Sequence, residues 1–224
     1  MEKGKLIVLE GIDGSGKSAQ YRRLCERMER DKIAYNHIVF PRYDKDSSAL
    51  IRMYLGGQFG SRPDDVNAYT ASTFYAIDRF ASYREDWGRI YENGGIILSD
   101  RYTTSNAVHQ CCKLPGAQWD AYLDWLFDYE YRLLGLPTPD LVVYLRLGIE
   151  TSQRLMSERY HGDEKKKDIH ESNLSYLEQA HLAADYCASK YNWKTVECAE
   201  RGSLRCIDEI GADVWNMAAR TIEL

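Results

Sequence analysis

An eight-residue glycine-rich segment constrains this chain more than any other part of its sequence. Residues 11–18 read GIDGSGKS and match the pattern G-x-x-x-x-G-K-[ST] at every fixed position. The run Lys5–Glu10 before it predicts a buried strand, and the run Ala19–Arg30 after it predicts an amphipathic helix. In this setting the loop directs successive backbone N–H groups at one point, at the positive end of the helix dipole. The sequence therefore predicts a nucleoside triphosphate site rather than an incidental glycine-rich turn.

The same loop predicts how the triphosphate is held. Lys17 is expected to reach the β- and γ-phosphates, and the Ser18 hydroxyl is expected to coordinate Mg²⁺. The predicted triphosphate-binding residues are Gly11, Ile12, Asp13, Gly14, Ser15, Gly16, Lys17 and Ser18.

The composition predicts an ordinary globular protein. A chain of 224 residues with 44% hydrophobic and 28% charged residues suits one α/β domain over residues 1–224. No apolar run approaches the roughly 18 residues of a membrane span, and the N-terminus shows no signal pattern.

A net charge of −5 argues against a nucleic-acid partner. The six cysteines lack metal-binding spacing. We therefore expect reduced thiols, a cytoplasmic location and no membrane partner.

Predicted strands and helices alternate along the chain. This order is typical of a parallel sheet covered on both faces, here a three-layer α/β/α sandwich of the P-loop type with a small lid. The five predicted strands are Lys5–Leu9, Tyr35–Phe40, Gly95–Ser99, Asp140–Leu147 and Trp193–Cys198.

The sequence also predicts a long helix and a charged surface segment. A long helix is predicted from Asp64 to Tyr91, and charged residues 158–168 predict a surface loop or a lid, with the lid spanning about 154–170. Apolar residues recur along the helix at spacings of three, four or seven. They predict one buried stripe, formed by Val66, Tyr69, Thr73, Ile77, Phe80 and Trp87.

Polar residues follow the predicted strands at the edge where α/β proteins bind ligands. Arg42 follows the second strand and Arg101 the third, and two guanidinium groups there indicate a second phosphorylated ligand. Asp100 could hold Mg²⁺ through water or simply cap the next helix. Tyr75 and Arg79 lie four residues apart on the long helix, so they could read a base or form a surface cation–π pair.

Five segments taken together resemble the thymidylate kinase family. They are residues 11–18, FPRY at 40–43, FYAIDR at 74–79, DRY at 100–102 and GLPTPD at 135–140. The matches run in family order from Leu6 to about Glu178. The resemblance implies transfer of the γ-phosphoryl group of ATP to dTMP, giving dTDP and ADP, with Mg²⁺ as cofactor. It also implies a homodimer, for which the helix from Asp64 is a plausible interface.

The resemblance also implies roles for individual residues. Asp13 matches the acid at the acceptor's 3′-hydroxyl region, and Arg101 matches the arginine that grips the acceptor phosphate. Tyr75 matches the ring that stacks on thymine, Arg79 the group that bonds its carbonyl, and Asn106 a residue lining the base. The full predicted dTMP-binding set is Asp13, Arg42, Tyr43, Tyr75, Arg79, Arg101, Asn106 and His109.

The metal, the adenine and the catalytic groups complete the implied site. Glu10 matches a family position near the metal and acceptor, and residues 199–202 fall where the adenine ring is held. The predicted metal ligands are Ser18, Asp100 and Glu10. The predicted catalytic residues are Lys17, Arg101, Asp13, Arg154 and Arg159.

Three positions depart from the family pattern. Gly14 stands where one branch places an arginine on the transferring group, Tyr75 replaces phenylalanine, and His109 replaces a tyrosine that blocks a ribose 2′-hydroxyl. Without the loop arginine, the lid has to supply positive charge. The lid cations are Arg154, Arg159, Lys165, Lys166 and Lys167.

Two alternatives stay open from the sequence. Another nucleoside monophosphate kinase, or a deoxynucleoside kinase, would use the same donor site. A nucleoside acceptor needs a general base, and Glu10 is the candidate. A P-loop regulator without an acceptor is the second alternative, although it would give Arg79 and Arg101 nothing to hold.

Overall fold

Five parallel strands form the centre of the protein in a computed structural model that describes residues 3–159, 169–171, 173–200 and 202–223. Their bounds are β1 Lys5–Glu10, β2 Asn36–Val39, β3 Ile96–Asp100, β4 Leu141–Arg146 and β5 Lys194–Glu197. All five predicted strands are confirmed, with slightly shifted ends. In space they follow the order β2-β3-β1-β4-β5. Every neighbouring pair in this sheet is parallel.

Helices cover both faces of the sheet, which confirms the predicted three-layer sandwich. Their bounds are α1 Lys17–Arg30, α2 Ala49–Leu55, α3 Ala68–Ser82, α4 Gly88–Glu92, α5 Thr103–His109, α6 Trp119–Phe127, α7 Ile149–Arg159, α8 Leu174–Lys190 and α9 Ile207–Thr221. After β5, the short strands β6 Ala199–Glu200 and β7 Ser203–Leu204 form a hairpin. No helix in the described ranges is long and apolar enough to cross a membrane.

The apolar sides of the strands explain the layering. On one face, α1 and α9 pack on β1 and β4 through a cluster that includes Leu24, Val214, Leu9 and Val143. The other face has two clusters, one joining α5, α6 and α8 and one in which Trp87 packs on β1. Because β1 is covered on both faces, its apolar residues show no alternation: residues 6–9 are all fully buried.

The predicted helix from Asp64 to Tyr91 is wrong at its start and is not one continuous α-helix. Pro63–Asp65 forms a single 3₁₀ turn, and α3 begins only at Ala68. Asn67 caps α3, because its side-chain oxygen accepts a hydrogen bond of 2.8 Å from the N–H of Thr70. A π-helical segment, Tyr83–Trp87, then separates α3 from α4.

The predicted buried stripe on this helix is also wrong. Val66 and Trp87 are buried, but Tyr69, Ile77 and Phe80 are 39%, 47% and 37% exposed. The buried face of α3 instead consists of small and polar residues: Ala68, Ala71, Ser72, Ala76, Asp78, Arg79 and Ser82. Periodicity located an apolar stripe correctly, but spacing alone could not tell whether the stripe faces the core or the surface.

Candidate active site

A cavity opens beside the glycine-rich loop at the carboxyl ends of β1 and β3. Seven of the eight residues predicted to bind dTMP line it, all except Arg42. The lining residues are Asp13, Phe40, Pro41, Tyr43, Leu55, Tyr75, Arg79, Arg101, Tyr102, Ser105, Asn106, His109, Gln110 and His170.

The loop of residues 11–18 has the geometry of a phosphate cradle. Gly14 and Gly16 have φ angles of 80° and 81°, a left-handed conformation that glycine adopts without strain. The backbone N–H groups of Gly14, Gly16, Lys17 and Ser18 find no acceptor among the described residues. The hydroxyl of Ser15 is buried without a hydrogen-bond partner. These donors, at the start of α1, match the requirements of a phosphate group.

Lys17 is buried at the first position of α1, where its Nζ contacts Oδ1 of Asp100 at the end of β3. Burial, followed by the positive charge of Arg101, lowers the pKa of Lys17 from its ordinary value. The contact brings two predicted groups together, the phosphate-binding lysine and the metal-binding carboxylate. Ser18, the next residue along α1, is exposed.

A magnesium ion fits this donor set as a partner of phosphate groups. In the ranges that the structure describes, no cluster of three or more His, Cys, Asp or Glu side chains could hold a metal. Mg²⁺ commonly binds through one or two protein oxygens, with phosphate and water oxygens as its other ligands. The hydroxyl of Ser18 and the carboxylate of Asp100 suit that kind of site.

Glu10 is committed to other hydrogen bonds, which weakens the prediction that it binds the metal. Its Oε1 accepts from the N–H of Gly11 at 2.9 Å. Its Oε2 accepts from Thr104 Oγ1 at 2.8 Å and from Ser105 Oγ at 2.7 Å. A metal at this buried carboxylate would displace several of these donors. The structure instead assigns Glu10 the task of tying β1 to the start of α5.

Arg101 is held by acids and by a strained backbone. Its φ angle is 68°, a left-handed conformation that costs a non-glycine residue about 1–2 kcal/mol. Its side chain pairs with Asp13, lies 3.8 Å from Glu10 and is 3.0 Å from Nε2 of His109. Burial alone would raise the pKa of Asp13, but the nearby positive charge, chiefly that of Arg101, lowers it to about 2. The loop acid and the rim arginine therefore face the cavity as a charged pair.

Arg42 does not reach the cavity, so its predicted place in the dTMP site needs correction. Its Nη1 lies 2.7 Å from Asp86 and 3.3 Å from Glu85, and its Nε lies 3.2 Å from Asp78. These carboxylates lie on α3 and the following π-helical segment, and Nη2 donates to the hydroxyl of Ser47 at 3.0 Å, so all three nitrogens of the guanidinium have partners away from the cavity. Tyr43, the next residue, does line the cavity although its side chain is 53% exposed.

Tyr75, Arg79 and Asn106 are three of the residues that line the cavity. Arg79 is 1% exposed, which excludes the surface cation–π alternative for it. Its guanidinium bonds Glu130, a fully buried acid that sequence reasoning missed. The one available signal was an acid inside the aromatic-rich run WDAYLDWLFDYEYRLL at 119–134.

His109 joins Arg101 to a buried polar chain. The hydroxyl of Tyr176 donates to the carbonyl of His109 at 2.7 Å and lies 3.3 Å from Nδ1 of His170. Nε2 of His170 lies 2.8 Å from the hydroxyl of Tyr54. Burial, and then the charge of Arg101, lowers the pKa of His109 to about 4. His109 is therefore neutral at pH 7.

The predicted lid is described only in part. Arg154 is exposed on α7, and α7 ends at Arg159. Lys165, Lys166 and Lys167 lie outside the described residues. Helix α7 packs directly over the loop: a Cβ atom at Gly14 would come within 2.4 Å of the carbonyl oxygen of Ser152. This contact and the positive φ angle explain why no arginine occupies position 14.

Known proteins resemble the chain in sequence and fold. The family model described as thymidylate kinase matches residues 9–207. A thymidylate kinase of Mycobacterium tuberculosis (strain ATCC 25618 / H37Rv) is 30% identical over 146 residues, covering 65% of this chain and 67% of the relative. One from Danio rerio is 24% identical over 225 residues, covering 99% of this chain and 93% of the relative. The solved thymidylate kinase of Candida albicans has a TM-score of 0.72 at 20% identity, covering 98% of this chain and 94% of that chain.

The buried imidazole of His109 generates a prediction about acid stability. A histidine in an unfolded chain has a pKa of about 6.5, so between pH 6.5 and 4 the unfolded chain binds a proton that the folded protein does not. The free energy of unfolding should therefore fall on acidification, and His109 alone should contribute a loss of about 2 kcal/mol by pH 5. Urea unfolding at pH 7.5 and pH 5 measures this loss.

The variant His109→Asn should reduce the difference between the two pH values by about that amount. His37→Asn removes an exposed histidine on β2 and serves as the control. A His109 variant with the full wild-type pH dependence would contradict the assignment.

Proposed function

The chain belongs to the thymidylate kinase family, and we propose that the cavity beside residues 11–18 is where it transfers the γ-phosphoryl group of ATP to dTMP. One observation carries the assignment of the site. A phosphate cradle and a second, cation-lined cavity share the carboxyl edge of the sheet. Two phosphorylated ligands bound there would meet at Arg101 and Asp13.

The donor side holds ATP by its phosphates. The unpaired N–H groups at the start of α1 bind the phosphate oxygens, and Lys17 neutralises the β- and γ-phosphates. Ser18 and Asp100 would hold Mg²⁺, which supplies charge neutralisation on the triphosphate. The backbone near the β6–β7 hairpin receives the adenine ring. Position 201 in that turn lies outside the described residues.

The acceptor side needs alignment rather than a strong base. The phosphate of dTMP is already an ionised nucleophile, so positioning and charge stabilisation account for catalysis. Arg101 grips the acceptor phosphate, and Asp13 beside it meets the 3′-hydroxyl region. Tyr43 packs on the sugar, Tyr75 stacks on thymine, and Arg79 with Asn106 bonds the base.

The contacts of Glu10 bear on the alternative of a deoxynucleoside kinase. A general base must be able to take a proton from the 5′-hydroxyl, yet three hydrogen bonds engage the two oxygens of Glu10. A monophosphate acceptor needs no such base. The second alternative, a regulator without an acceptor, leaves the charged pair of Arg101 and Asp13 without a ligand to explain it.

Positive charge for the transferring group comes from α7 and the segment after it. Because α7 covers Gly14, the loop has no room for an arginine. Arg154 is an exposed cation on α7, and Arg159 is the last residue of that helix. We assign to one of these two arginines the charge that develops on the phosphoryl group.

The exposed stripe on α3 supports a homodimer. Tyr69, Ile77 and Phe80 form an apolar row on the surface of the single chain. A second copy packed on this row would bury it. A cytoplasmic location belongs to the same proposal, and it is supported by the six cysteines, which are all free thiols.

The first test of this function is an ADP-release assay with ATP and Mg²⁺ against dTMP, dUMP, dCMP and thymidine. We expect the highest turnover with dTMP and little with thymidine. The variant Arg101→Ala should lower kcat/KM for dTMP by about 10² or more while ATP binding survives, because Arg101 is assigned to the acceptor phosphate, whereas Lys17 and the backbone N–H groups that hold the phosphates of ATP stay in place. Arg132→Ala, which removes an exposed arginine paired with Asp128, is the control. Equal loss of ATP binding and dTMP turnover would contradict the role of Arg101.

Separate substitutions identify the lid cation. Arg154→Ala and Arg159→Ala should differ, with kcat falling by about 10² or more for the residue that meets the transferring group and KM for ATP changing less. Steady-state kinetics with dTMP saturating measure both constants. Wild-type turnover in both variants would exclude α7 as the source of the charge.

A surface substitution tests the dimer. We expect the wild type to elute as a dimer in size-exclusion chromatography with light scattering, and Ile77→Asp to elute as a monomer, because a carboxylate cannot be buried there without a partner. Leu182→Asp is the matched control, since Leu182 is a 53% exposed apolar residue on α8. A monomeric wild type at micromolar concentration would refute the dimer.

A further inference from the structure

A buried ion pair joins Arg79, which lines the cavity, to Glu130, which does not. The side chain of Arg79 on α3 is 2% exposed, and that of Glu130 in the π-helical segment Asp128–Leu133 is 0% exposed. Nε of Arg79 donates to Oε2 of Glu130 at 2.6 Å, and Nη2 donates to Oε1 at 2.5 Å. Desolvation offsets most of the attraction in so buried a pair, so its contribution to stability is a weak reason for its presence. The side chains that the pair orients give a better reason for its presence.

Glu130 also fixes the side-chain amide of Asn106. The Nδ2 atom of Asn106 donates to Oε1 of Glu130 at 3.2 Å and to the carbonyl oxygen of Ser72 at 3.1 Å. Both partners are acceptors, so the amide nitrogen has to face them and Oδ1 has to face the other way. The hydroxyl of Thr103 donates to Oε2 of Glu130 at 2.7 Å and completes the shell around the carboxylate.

One donor and one acceptor remain for a ligand. Nη1 of Arg79 and Oδ1 of Asn106 have no hydrogen-bond partner among the described residues. A fully enclosed polar atom without a hydrogen-bond partner is found on neither residue, so these two atoms keep some access to solvent. Both residues line the cavity, so that access opens into the cavity. A guanidinium can only donate, and an amide oxygen can only accept.

We propose that Glu130 is a positioning residue that sets base specificity by holding Arg79 and Asn106 in this order of donor and acceptor. A donor beside an acceptor complements a carbonyl next to a ring N–H, which is the edge of thymine and uracil. Cytosine carries an amino group next to an unprotonated ring nitrogen, so it meets both protein atoms with the wrong polarity. The inference rests on the proposed function, because it takes the cavity to hold the base of the acceptor.

The test compares dUMP with dCMP, which differ at this edge and share the absence of a 5-methyl group. Wild type should prefer dUMP in kcat/KM. In Glu130→Gln, one carboxylate oxygen becomes an amide donor that faces a donor of Arg79 or of Asn106, so the order of donor and acceptor toward the cavity is no longer fixed. The ratio of kcat/KM for dUMP over dCMP should fall by about tenfold or more, through loss of dUMP turnover with dCMP turnover kept or raised.

Several outcomes would overturn the inference. The first is a wild type that accepts dCMP as readily as dUMP. The second is a Glu130→Gln variant in which kcat/KM falls by the same factor for both substrates, as a purely structural role of Glu130 requires. Asp128→Asn changes an exposed acid in the same segment and should leave the ratio unchanged. An equal fall in the ratio there would show a general disturbance of the segment and also overturn the inference.

Urea unfolding shows whether Glu130→Gln is folded. If it is not, Thr103→Val replaces it, because the loss of one donor to Oε2 loosens the carboxylate without removing its charge. We expect a severalfold fall in the ratio, and an unchanged ratio would overturn the inference. A wild type that phosphorylates no monophosphate would instead refute the proposed function, and this inference with it.

Discussion

The contact between Arg101 and Asp13 is the interaction on which the rest of the site depends. It joins the glycine-rich loop to the end of β3, while Glu10 behind it ties β1 to α5. The two side chains are 18% and 20% exposed, so removing one partner leaves the other charge uncompensated in a partly buried site and costs free energy. The left-handed backbone of Arg101 is a further cost that the fold bears at this point. Both costs are concentrated at the cavity where the proposed function brings two negatively charged substrates together.

Much of the fold was predictable because its signals are local. Continuous apolar runs such as that of β1 identify strands buried on both faces, and the alternation with helices indicates a parallel sheet. The start of α3 was misplaced because a proline followed by two acids suits a 3₁₀ turn as well as a helix start. The apolar stripe of α3 was misplaced because an apolar row on the surface and an apolar row facing the core have the same spacing.

The candidate site was predictable where strand ends bring residues to one edge, as for Asp100 and Arg101. It was not predictable where the partner is distant in sequence. Glu130 meets Arg79 across 51 positions, and Arg42 meets acids 36 to 44 positions away, so no local pattern reveals either pairing. The resemblance to a family pointed to ligand contacts. The acid that orients Arg79 and the acids that hold Arg42 away from the cavity were found only in the structure.

The π-helical segment Asp128–Leu133 has a consequence for how this region can vary. Its wider turn, seen where the N–H of Leu134 donates to the carbonyl of Tyr129, accommodates one residue more than an α-helix of the same length. Removing a single residue would restore α-helical winding and rotate Glu130 away from Arg79 by about 100°, the angle between successive α-helical residues. The segment should therefore accept substitutions on its exposed side more readily than any change in length.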